Sequence, residues 1–96
     1  MLIKAGVDIS RLNREIRKKL NIIARTLAVV VSEELIITST YEGTHSESSL
    51  HYCNDAIDIR LPVRLEFIVQ ELKRDLGDKF DVVTEKDHIH IEYDPK

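Results

Sequence analysis

The side chains best suited to chemistry in this 96-residue chain are gathered in two short stretches. The first runs from His45 through His51, Cys53 and Asn54 to Asp58 and Arg60. It opens as a polar loop rich in Ser, Glu and His and ends as an apolar alternation around a carboxylate. The second is Glu85-Lys-Asp87-His88-Ile-His90-Ile-Glu92. In the first, His51 is followed seven positions later by Asp58. A loop can fold back onto the strand that follows it, so these two groups can converge on one ion. Imidazole and carboxylate suit Zn²⁺, and three protein ligands with an open fourth position are the pattern of a catalytic zinc site. The expected set is His51, Asp58 and His90.

Each of these residues also has a plainer role. Asp58 alone would be a polar residue at a sheet edge, Asp87 a turn former, Glu85 a solvated loop tip and His45 a surface histidine. Cys53 is an alternative ligand to Asp58, although a weakly reactive, partly buried thiol is its commoner state. Ser49 has no base placed for it by spacing and orders the loop through local side-chain-to-backbone bonds. Glu92 either orients a neighbouring imidazole or faces solvent. All four histidines fall within two motifs, which favours a shared centre over scattered surface positions.

The elements that must position these groups are legible from periodicity. Residues 1–9 read as a lead-in. From Ser10, a plausible N-cap, apolar residues recur at Leu12, Ile16, Leu20, Ile23 and Leu27, which predicts an amphipathic helix over about 10–31. Its other face carries Arg11, Arg14, Lys18 and Arg25, with Arg17 beside them. A solvated helix face explains that stripe more simply than a nucleic-acid contact does. Residues 35–40 are β-branched and read as a strand. Ile57 and Ile59 alternate with Asp58 and Arg60, so Asp58 points away from the isoleucines and towards a cleft. Leu61-Pro62 opens a second helix with Leu65, Ile68, Val69, Leu72 and Leu76 as its buried stripe and Gly77 as its C-terminal cap. Residues 80–84 and 88–93 form a hairpin around Glu85-Lys-Asp87, with His88, His90 and Glu92 on one face. The predicted fold is α+β: two helices packed on a small, mainly antiparallel sheet, in one domain spanning residues 1–96.

Composition narrows the function classes. The 43% hydrophobic and 32% charged content is that of an ordinary globular protein, and a net charge of −3 gives no reason to expect nucleic acid as the partner. A single cysteine excludes an internal disulfide framework. No apolar run approaches the ~20 residues that span a bilayer, so no membrane is expected. The first residues lack the basic start and apolar core of a signal peptide. The expectation is a monomer, cytoplasmic as synthesised.

The combination Ser-Leu-His51-Tyr-x-x-x-Ala56-Ile-Asp58-Ile, followed after a helix by Phe80-Asp-Val-Val and His88-Ile-His90, resembles the Hedgehog/D-Ala-D-Ala-peptidase superfamily of zinc proteins. Down to the closing Glu92-Tyr-Asp-Pro-Lys it is similar to the small phage-associated members related to D-Ala-D-Ala carboxypeptidases and peptidoglycan endopeptidases. The likeness covers residues 36–95. It implies hydrolysis of a peptide bond in peptidoglycan, with His51, Asp58 and His90 on the family's zinc-ligand positions. Asp87, three residues before the last ligand, falls on the acidic position of the peptidase members and is the expected general base, with Glu85, nearest to the glutamate of the Hedgehog branch, as its rival. His45 and His88 match histidines that flank the metal there and would face a developing oxyanion. The resemblance also implies action on the cell wall after phage-type release or as a virion component. A rival implication is a zinc-containing cell-wall or virion-associated module that binds without turnover.

Two departures stand out. Asn54 replaces the glycine usual three residues after the first ligand, and asparagine is the next-best residue at positive φ. Thr38-Ser-Thr-Tyr41-Glu lacks the arginine that many peptidase members carry there, which removes that strand's anchor for a substrate carboxylate.

Overall fold

A computed structural model describes residues 1–40 and 55–95 of the chain. The elements are β1 (Leu2–Ile3), α1 (Arg14–Arg17), α2 (Leu20–Val30), β2 (Ile36–Ser39), β3 (Ala56–Arg60), α3 (Leu65–Leu76), β4 (Phe80–Thr84) and β5 (His88–Tyr93). The class is α+β, and the strands lie in the order β1-β2-β3-β5-β4. The sheet is mixed. β1 runs parallel to β2, while β2–β3, β3–β5 and β5–β4 are antiparallel.

Period-2 alternation sorts the strand residues onto two faces. Ile37, Ile57, Ile59, Ile89 and Ile91 are fully buried on one of them, with Val82 alongside. Onto this layer pack Leu20, Ile23 and Leu27 of α2 and Ile68, Leu72 and Leu76 of α3, all buried in the same cluster. The helices therefore take one face of the sheet, and the opposite face is left to Asp58, His88, His90 and Glu92. Thr26 of α2 bridges the two helices through its hydroxyl, which donates to Asp75 at 2.7 Å.

The structure corrects four expectations. The lead-in holds a strand: the Leu2 N–H donates to the Leu35 carbonyl at 2.8 Å and Lys4 N–H to Ile37 at 3.0 Å. Two paired residues are too short a run for alternation to reveal. The first helix starts at Arg14, not Ser10, and tightens at Lys18 and Lys19, where the Lys19 N–H bonds the Ile16 carbonyl at 3.1 Å in a three-residue turn. The apolar stripe survives that break, since Leu12, Ile16, Leu20, Ile23 and Leu27 are all buried. Arg17 is not part of a solvated stripe: its guanidinium donates to the carbonyls of Ile9, Ser10 and Leu12 and pins the segment before α1. The second long helix begins at Leu65, because Pro62 is buried ahead of it and the Val63 N–H is taken by the Glu33 carboxylate at 2.7 Å. Its other end follows the sequence. Gly77, at φ 90°, closes α3 in a conformation that side-chain-bearing residues avoid. Among the described residues, no helix is long and apolar enough to cross a membrane.

Candidate metal centre

The centre is built by one strand pairing. β3 and β5 are antiparallel with Asp58 directly opposite His90, Ala56 opposite Glu92 and Arg60 opposite His88. Because side chains alternate, these pairs share the face away from the helices. Buried isoleucines at 57, 59, 89 and 91 hold that register, since a one-residue slip would turn them outward. The ends of the strands are tied as well. The Tyr93 N–H donates to the Asp55 carbonyl at 2.8 Å, and the Asn13 amide donates to the Asp55 carboxylate at 2.7 Å.

Within this frame Asp58 is buried, and its Oδ1 lies 2.9 Å from His90 Nδ1. The other ring nitrogen of His90 lies 2.7 Å from Glu92 Oε1. Asp58 Oδ2 is 3.5 Å from His88 Nε2, and His88 Nδ1 is 2.6 Å from Asp87 Oδ1. The row thus reads Glu92–His90–Asp58–His88–Asp87, carboxylate alternating with imidazole. The Thr38 hydroxyl donates to the Asp58 carbonyl at 3.3 Å, which adds β2 to the support.

The electrostatics follow from these contacts. Asp58 at Nδ1 raises the pKa of His90 above 6.5 against the opposing cost of burial, with Glu92 at Nε2 adding to the rise. The hydrogen bond to His88 lowers that of Asp87. A group whose pKa is raised by folding stabilises the fold fully below its unfolded value and loses that contribution as pH climbs through the folded one. In chelator-treated protein, His90 is therefore expected to stabilise the fold below about pH 6.5 and to lose that effect on the alkaline side. Glu92→Gln should flatten the dependence in urea titrations run across that range. The same substitution should weaken zinc binding about ten- to a hundredfold, as loss of an orienting partner does. Unchanged curves and unchanged affinity would count against any role for Glu92.

Of the three expected zinc ligands, Asp58 and His90 are among the described residues, and their donor atoms lie close enough to share one ion. Ligand atoms held about 2.1 Å from a tetrahedral ion stand about 3.4 Å apart, and the Asp58 and His90 donors are within half an ångström or so of that spacing. Glu92 occupies the second nitrogen of His90, as a carboxylate commonly does behind a metal-bound imidazole. The structure brings Asp58, His90, His88 and Asp87 together as one cluster. It does not bring in Glu85 by its side chain, which is exposed at the hairpin; only its backbone N–H participates, donating to the His88 carbonyl at 2.8 Å. His45 and His51, with Ser49, Cys53 and Asn54, lie outside the described residues.

An acidic group beside the row was not anticipated. Ligand oxygens of Asp81, Glu92 and Asp94 lie within 4.8 Å of one another. An all-carboxylate set suits hard cations more than zinc, and Glu92 is shared with His90, so the group forms the acidic flank of that imidazole. The signal for it was register: Asp81 is the cross-strand partner of Glu92. Compared with protein-family models and with curated proteins, the chain matches none.

Proposed function

We propose that this chain is a zinc-dependent peptidase that hydrolyses a peptide bond in peptidoglycan, one involving a D-amino acid in a stem peptide or cross-link. The observation that supports it is the direct cross-strand pairing of Asp58 with His90, ligand atoms 2.9 Å apart, with Glu92 behind the imidazole. Asp58 and His90 would hold the ion, joined by His51 as the sequence resemblance implies. When bound, zinc supplies Lewis acidity to a scissile carbonyl and lowers the pKa of a water molecule to about 7.

The chain's own residues then have distinct tasks. His88 is the acid–base group of this reading, because Nε2 faces the Asp58 side of the centre while Nδ1 is engaged by Asp87. In the tautomer that donates Nδ1–H to Asp87, Nε2 would be the proton acceptor. It takes a proton from the attacking water as the C–O bond forms, then returns it to the amine nitrogen as the C–N bond breaks. Asp87 works through His88 by fixing the ring's orientation and tautomer. That places the acidic residue expected as the base one step back from the reacting atoms. Glu85 is the competing base.

Release of free amines from purified peptidoglycan tests this. Zinc-loaded protein is expected to release amines. His88→Ala should keep its zinc and lose about a hundred- to ten-thousandfold in rate. Asp87→Ala should lose about ten- to a hundredfold, partly restored by Asp87→Glu. Loss on Glu85→Ala alone would move the base to that residue. Folded, zinc-loaded protein that releases nothing would leave a binding module in place of an enzyme.

A further inference from the structure

Among the described residues, the outer edge of β4 pairs with no strand and takes no part in the site. β4 closes the sheet on one side, its neighbour being β5. Backbone bonds fix which of its groups point where. The Glu85 N–H donates to His88 and the Asp94 N–H to the Lys79 carbonyl, both at 2.8 Å. In an antiparallel ladder, residues that bond the neighbour alternate with residues that point away. Lys79, Asp81, Val83 and Glu85 therefore face β5, and Phe80, Val82 and Thr84 direct their backbone groups outward. The Phe80 N–H is engaged by Gly77 at 3.3 Å. That leaves the carbonyls of Phe80, Val82 and Thr84 and the N–H groups of Val82 and Thr84 along the rim.

Edge strands are usually blunted by shortness, proline, a bulge or an inward lysine. β1, at the opposite edge, is two residues long. β4 is five residues of Phe-Asp-Val-Val-Thr with no proline, bulge or lysine and Asp81 as its one charge, and Val83 is exposed on it. A shallow groove beside it is lined by Lys73, Gly77, Asp78, Phe80, Val82 and Val83.

We propose that this edge pairs antiparallel with β4 of a second copy of the chain, about a two-fold axis through Val82. Charge selects both the partner and the register. With the axis at Val82, Lys79 stands opposite Glu85, Asp78 opposite Lys86, Phe80 opposite Thr84 and Asp81 opposite Val83. Opposite charges across a strand pair stabilise it and like charges destabilise it. Moving the axis to Asp81 sets that residue against itself, and moving it to Val83 sets Asp81 against Glu85. The Val82 register also matches the outward groups. Val82 N–H meets the Val82 carbonyl of the second copy and Thr84 N–H meets its Phe80 carbonyl, each contact made twice in an isologous interface. This dimer departs from the monomer expected from sequence, and it does not depend on bound zinc.

Sedimentation equilibrium of the full chain from low micromolar to sub-millimolar concentration tests it. Dimerisation is expected, weaker at high salt. Lys79→Glu and Glu85→Lys should each weaken it about tenfold, and the two together should restore it. Thr84→Pro keeps the β5 ladder, since that N–H points away and the side chain is exposed. It should weaken association by about tenfold or more. Circular dichroism establishes that each variant is folded. A chain that stays monomeric throughout, a dimer indifferent to Thr84→Pro, or a double variant no better than either single overturns the proposal.

Discussion

Replacing His90 with alanine is expected to abolish zinc uptake at micromolar metal and to cut amine release from peptidoglycan by on the order of a thousandfold or more. In the proposed centre the imidazole would be a donor to the ion, and it bridges two carboxylates, Asp58 at 2.9 Å and Glu92 at 2.7 Å. Its removal would take away a nitrogen ligand of the proposed centre and, in the metal-free protein, the imidazole that Asp58 and Glu92 share. The metal-free variant should therefore also lose the stabilisation that the parent shows on the acid side of neutrality. Atomic absorption after dialysis reads the first effect, and denaturant titration in chelator reads the last. One equivalent of zinc retained by His90→Ala would move the centre elsewhere in the chain.

The largest effect on folding is expected at Ile91. This side chain is fully buried in β5, between Ile57 of β3 and Val82 of β4, on the face that α2 and α3 cover. Ile91→Ala removes buried methyl groups and leaves a cavity that a layer held by strands on both sides cannot close. A loss of about 3 kcal/mol is expected, a large part of the ~5–15 kcal/mol that holds a small domain together. Thermal unfolding should fall by roughly 12–24 °C. Val83→Ala, nearby but exposed, should stay within about 0.5 kcal/mol of the parent. Ile91 is the residue between His90 and Glu92, so zinc should recover part of the loss by binding only the folded chain. Equal effects at Ile91 and Val83 would contradict the division of the sheet into a buried and a functional face.

Much of that division was readable from sequence, because alternation is a local property. Ile57-Asp58-Ile59 and His88-Ile89-His90-Ile91-Glu92 announce two faces without any knowledge of the partner strand. The helical stripe of Ile16, Leu20, Ile23 and Leu27 is legible for the same reason and tolerates the tightened turn at Lys18–Lys19. Register is different. Nothing local says that Asp58 meets His90 while Arg60 meets His88; that comes from pairing between strands separated by a whole helix and a further strand. The acidic flank of Asp81, Glu92 and Asp94 depends on register too and was missed. So was the inward turn of Arg17, since a guanidinium that bonds three carbonyls is indistinguishable in sequence from one in solvent. β1 escaped because it is defined by what it pairs with, not by its composition.

The strand order carries a consequence for the chain's biogenesis. β5 is inserted between β3 and β4, so an interior position of the sheet is filled by the last of the described strands. A nascent polypeptide leaving the ribosome can assemble its helices and present Asp58, yet its cross-strand pairing with His90 waits until residues 88–93 clear the exit tunnel. The Asp58–His90 pair thus forms only when β5 enters between two strands synthesised before it.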